Sequence, residues 1–143
     1  MIRLFAALLI VLPALAHADG ISAVDAYIPV APPGARSHAA YMTLHNSGDA
    51  VRSLIAVSAQ GYGMAHLHES RVNDGIATML SVEQLDIPPR GEARLAPSGL
   101  HVMLMMPMAS STPNGAVVTL TLTFANGETL DVPATVRDRD AGS

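Results

Sequence analysis

Val118-Thr119-Leu120-Thr121-Leu122-Thr123-Phe124 decides the fold class. Apolar and hydroxyl side chains alternate without a break. An extended chain therefore puts Val118, Leu120, Leu122 and Phe124 on one face and three threonines on the other, whereas a helix would scatter them around its axis. Asn126-Gly127 follows, the strongest short signal for a chain reversal. Leu130, Val132, Ala134 and Val136 then resume the alternation. A hairpin with one apolar and one polar face needs a second layer to cover the apolar one.

The same pattern recurs towards the amino terminus. Period-2 alternation or β-branched enrichment predicts strands over Ile21–Val30, His38–His45, Arg52–Ser58, Met64–Arg71, Ile76–Val82, Glu92–Leu95, Leu100–Met106, Ala116–Phe124 and Thr129–Val136. Asn46-Ser47-Gly48-Asp49, Pro88-Pro89-Arg90-Gly91 and Pro97-Ser98-Gly99 punctuate them. No long stretch repeats at 3.6 residues. Short strands every eight to fifteen residues predict an all-β, antiparallel β-sandwich, and the length of 143 residues suits one domain.

The first eighteen residues read as something other than fold. Arg3 supplies a positive start, Phe5–Leu12 an apolar run, and Ala14-Leu15-Ala16 or Ala16-His17-Ala18 a small-x-small cleavage site. This is the pattern of a cleaved signal peptide, expected over 1–18 with cleavage after Ala18 or, failing that, Ala16. The β-sandwich domain is then expected over 19–137 and a short polar tail over 138–143. The apolar run is too short to span a bilayer, and no cysteine follows to carry a lipid. Export predicts a periplasmic protein.

Composition narrows the chemistry. There is no cysteine, which excludes disulfides, thiolate zinc sites and blue copper. There are eight Met and six His, and the net charge is −4, with no basic cluster to hold nucleic acid. In an oxidising compartment, a soft-ligand site free of thiol chemistry would draw on Met thioethers.

Four residues stand out: His68, Met79, His101 and Met103. His68 and Met79 flank Asn73-Asp74-Gly75. A two-residue turn at Asn73-Asp74 makes them direct cross-strand partners. A turn at Asp74-Gly75 sets Met79 opposite Ser70, two residues from His68. Either two-residue register puts both on one face, whereas a three-residue turn would separate them. His101 and Met103, at i and i+2, share a face as well. Two imidazoles and two thioethers would suit Cu(I) better than Zn²⁺, Ca²⁺ or Mg²⁺. Against this stands a plainer reading, in which Met79, Met103, Met105 and Met106 fill the core.

His68-x10-Met79-x21-His101-x-Met103 also resembles the metal-binding pattern of the periplasmic copper chaperone family of PCuAC type. Ala40-Tyr41-Met42-Thr43-Leu44 with Asn46 and Gly48, Leu67-His68-Glu69 before Asp74-Gly75, and Gly99-Leu100-His101-Val102-Met103-Leu104-Met105 are similar to family segments. The resemblance implies a cupredoxin-like Greek-key sandwich binding one Cu(I) through His68, Met79, His101 and Met103. It further implies delivery to a partner, cytochrome c oxidase subunit II or a Sco-type protein, in oxidase assembly and copper homeostasis. Ser70 and His66 depart from the common pattern, which has Met and Glu there. A monomer with no nucleic-acid partner, no membrane span and no enzymatic activity is expected.

Two rivals come from other classes. One is an exported β-sandwich binding or assembly module without metal. The other is a hydrolase using Ser70, His68 and Asp74, for which no nucleophile elbow is present. Met64, Met42, His38 and His45 are candidates for a secondary soft site, and His66 for an extension of the first.

Overall fold

In the computed structural model, which describes residues 20–110 and 112–139, the deciding stretch is a strand in which Val118, Leu120, Leu122 and Phe124 are all buried. Ten strands and no helix occupy the described residues. They are β1 Ile21–Pro29, β2 Ser37–Asn46, β3 Arg52–Ala59, β4 Tyr62–Asn73, β5 Ile76–Ser81, β6 Leu85–Ile87, β7 Gly91–Leu95, β8 Leu100–Pro107, β9 Val117–Phe124 and β10 Thr129–Arg137. The expected signal peptide lies outside the described residues, as do residues 140–143 of the expected tail. Among the described residues no helix is long and apolar enough to cross a membrane.

The β9–β10 reversal uses three residues, Ala125-Asn126-Gly127. The Phe124 amide donates to the Glu128 carbonyl at 2.9 Å, and the Gly127 amide to the Phe124 carbonyl at 2.9 Å. Gly127 has φ +87°, the left-handed position that closes a three-residue loop with a bulge.

The strand order β5-β4-β8-β2-β1-β10-β9-β3-β6 describes two layers sharing β2, with β7 also paired to β2. Ser37–Ala40 of β2 are registered with β8, and Met42–Asn46 with β7 and β1. One layer is thus β5, β4, β8 and the start of β2, and the other runs from the end of β2 out to β6. Leu67, Val102 and Leu104 of the first layer face a core that includes Leu54, Leu120, Leu122 and Phe124. Phe124 is the largest fully buried side chain, so the core is almost wholly aliphatic, as the shortage of rings requires.

Two features differ from expectation. The sheet is not wholly antiparallel: β1 and β10 pair in parallel, Tyr27 opposite Thr135 and Val136 opposite Ile28. These strands lie at opposite ends of the chain, so no short connection forces them antiparallel. Secondly, β6 was not among the expected strands. Three residues are too few to display a period, yet β6 pairs with β3, and Ile87 is fully buried. Buried Asn46 ties it in. Its amide donates to the Ala50 carbonyl at 2.8 Å and the Ile87 carbonyl at 3.1 Å, and its oxygen accepts from the Gly48 amide at 3.1 Å.

Candidate metal centre

The β4–β5 hairpin settles the register that the sequence leaves open. Asp74 and Gly75 have φ of +51° and +76°, the two left-handed residues of a type I′ turn. Ser70 is therefore opposite Met79, and His68 opposite Ser81. Glycine meets the second requirement at no steric cost, and aspartate tolerates the first.

On the other side of β4 the partner is β8, which puts His68 directly opposite His101 and His66 opposite Met103. The outward face of β5-β4-β8 is thus a grid. His68 and His101 form its central row. Met79 stands one row to one side, diagonal to His68. Met103 stands one row to the other, diagonal to His68 and two residues from His101. Directly opposed residues have Cβ atoms about 4.5–5.5 Å apart, and diagonals about 7–8 Å, within reach of long side chains. All four predicted residues are brought onto one patch of one face.

Their environments differ. His101 is 5% exposed, although it lies on the outward face. Tyr41 of β2 covers it, with ring centroids 6.4 Å apart; Tyr27 packs on Tyr41 at 5.4 Å, and the Arg137 guanidinium lies 4.0 Å over the Tyr27 ring. His101 Nδ1 is 3.1 Å from the Gly99 carbonyl. A carbonyl only accepts, so Nδ1 carries the proton, and in the neutral ring Nε2 is the nitrogen left to bind a metal. The same carbonyl accepts from the Ser70 amide at 3.0 Å, which locks the Pro97–Gly99 turn to β4.

The His68 ring stands edge-on to His101 at 6.0 Å. Its Nδ1 is buried and has no hydrogen-bond partner, a costly condition for a polar nitrogen. Burial, then the neighbouring His101 and His66, push the His68 pKa below its ordinary 6.5, so the ring favours the neutral form. Met79 is 50% exposed on the edge strand, and Met103 is half-buried in the middle of β8.

None of Met79, Met103, Met105 and Met106 is buried, so the core-filler reading does not hold for them, whereas Met42, a candidate for the secondary site, is core at 2% exposed. The secondary set disperses. His38 is buried with Nδ1 2.6 Å from the Tyr62 hydroxyl, and His45 pairs with Glu92 at 3.5 Å. Asp74 is committed to the hairpin turn rather than to Ser70 and His68. Among the described residues no three His, Asp or Glu side chains converge as a metal site. Sequence reasoning missed Tyr41 and the Gly99 carbonyl as supports for His101. Tyr41 was signalled only by its place beside core residues Ala40 and Met42.

The fold defined by this sandwich is that of a PCuAC domain. The apo PCuAC domain from PmoF1 superposes with a TM-score of 0.71 over 83% of this chain and 94% of that one, at 23% identity. DR1885 from Deinococcus radiodurans is more similar in sequence. Its apo solution structure is 31% identical, with a TM-score of 0.66, covering 100% of this chain and 98% of that chain. Its CuI form is 32% identical, with a TM-score of 0.65, covering 88% and 85%. A Leifsonia xyli subsp. xyli protein whose name describes a lipoprotein is 29% identical over 123 residues, 85% of this chain and 72% of that protein. The chain belongs to the LpqE-like family, whose model matches residues 21–136. The PCuAC type expected from the sequence is thereby borne out.

Proposed function

We propose that this chain is a periplasmic copper chaperone that carries one Cu(I) as cargo, held by His68, Met79, His101 and Met103. The observation that carries the reading is the grid itself. Two imidazoles, one with its Nε2 lone pair free and the other with an unpartnered buried nitrogen, stand between two thioethers on one face. Thioethers and imidazoles select Cu(I) over harder ions. DR1885, about a third identical over most of this chain, has a structure with CuI bound.

The geometry also suggests how cargo leaves. His101 is buried under Tyr41 and fixed through Nδ1, so it is the anchor. Met79 sits half-exposed on an edge strand whose residues are all exposed. An incoming thiolate or thioether therefore displaces Met79 first, and the ion passes by ligand exchange without being free in solution. The recipient is cytochrome c oxidase subunit II or a Sco-type protein, and the chain works as a monomer with no catalytic step. The signal peptide at 1–18 supplies export.

The test is copper-edge X-ray absorption on the Cu(I) form, beside His68→Ala, Met79→Ala, His101→Ala and Met103→Ala. A mixed nitrogen and sulfur shell losing one matched scatterer per variant is expected. No Cu(I) binding against a competing chelator overturns the reading, and an unchanged shell in any variant removes that residue.

A further inference from the structure

The grid does not stop at the four residues. Beyond the His66–Met103 row lies another, in which Met64 of β4 is directly opposite Met105 of β8. Of the seven methionines among the described residues, Met42 alone is buried. Met64 is 44% exposed, Met105 is half-buried, and His66 is exposed. Core packing explains none of the three.

The surroundings keep this part of the face open. On β2 the residues beside Met105 and Met103 are Ser37 and Ala39, too small to cover a thioether. On the other side β5 reaches only to Ser81 opposite His68, and its ladder ends with the Val82 amide donating to the Leu67 carbonyl at 2.9 Å. Met64 and His66 therefore lie past the end of β5. Each row is displaced from the next by two residues, about 6.6–6.8 Å along the strand.

We infer that Met64, His66 and Met105 form a second binding site for a soft monovalent d10 cation, Cu(I) or its analogue Ag(I), one row along from the first centre. The two thioethers are direct cross-strand neighbours, and His66 lies on the same face two residues from Met64 and diagonal to Met105. Those separations let three side chains meet one ion. Two thioethers and an imidazole are again a soft set. Met103 is opposite His66 and two residues from both His101 and Met105, so it borders both sites and gives an ion a ligand common to each. The second site needs none of His68, Met79 or His101, so it can fail while the first stands, and the reverse.

The experiment titrates Ag(I) into protein labelled with 13C at the methionine methyls, and counts equivalents bound. Two equivalents are expected in the wild type. The Met64 and Met105 methyl signals shift with one of them, and the Met79 signal with the other. The double variant Met64→Leu, Met105→Leu keeps the apolar surface and loses the thioethers; it should bind one equivalent and still shift Met79. Met79→Leu with His101→Ala should keep the equivalent that moves Met64 and Met105. A single equivalent with unmoved Met64 and Met105 signals overturns the second site and leaves the first intact. Two equivalents retained in the double variant also overturn it, because the second ion then binds without these thioethers.

Discussion

Met79→Leu separates a ligand from a packing residue more sharply than any other single change. Met79 lies on β5, all of whose residues are exposed, and is itself 50% exposed opposite Ser70. Full burial of such a side chain is worth about 1.5–3 kcal/mol. Leucine has nearly the same apolar area, so the swap moves only a fraction of half that burial, within ~0.5 kcal/mol, as for other surface changes. The effect on copper is of another order. Altering a group that only supports a ligand typically costs about 10–100-fold in metal affinity. Removing a bond to the ion should cost at least ~100-fold, which is about 2.7 kcal/mol. The expected result is an unchanged urea midpoint beside a hundredfold loss of Cu(I) in competition with a chromogenic chelator under anaerobic conditions. Affinity within threefold of wild type would refute the assignment of Met79, and with it the use of the β4–β5 register to place a ligand.

Three further outcomes concern the fold that holds the site. Tyr62→Phe leaves buried His38 Nδ1 without its 2.6 Å partner and should lower unfolding free energy by about 1–3 kcal/mol, measured by urea denaturation. Leu122→Ala removes a fully buried side chain between the layers and should cost about 2.7–5 kcal/mol on the same measurement. Stability of the copper-free protein should also depend on pH with a definite sign. Burial lowers the pKa of His38 and of His68 below 6.5, so the unfolded chain binds more protons near that pH. Stability is then fully present above about 6.5 and lost as pH falls through the folded values. Asp86 adds a second window. Hydrogen bonds from Ser53 and Gln84 hold its carboxyl below 3.8, so its contribution is present above 3.8 and lost in stronger acid. Urea midpoints that do not fall between pH 7 and pH 5 would contradict the histidine part.

Much of the fold was legible because strand alternation is a local property. Val118 to Phe124 announced its buried face residue by residue, and the structure buries those same four side chains. β6 was not legible, since three residues carry no period; its place is fixed by β3 and by Asn46. The parallel pairing of β1 with β10 was hidden because it depends on where the two ends of the chain meet. At the site, the pairs His68 with Met79 and His101 with Met103 each follow from local spacing. The junction between the pairs does not.

By itself the sequence determined the chemistry on offer. With no cysteine, any soft-metal site in this chain must use thioethers and imidazoles, and the alternation fixes which of them share a face within a hairpin or a strand. Only the tertiary structure decided which faces meet. The left-handed pair Asp74-Gly75 chose one register over another, and the pairing of β4 with β8 set His68 against His101 across more than thirty residues of chain. Tertiary packing also made the two histidines unequal, burying His101 under Tyr41 and stranding a nitrogen of His68. The physical reason is range. Turn geometry and side-chain period act over a few residues, whereas strand partnership and burial are set by the closing of one core around both layers.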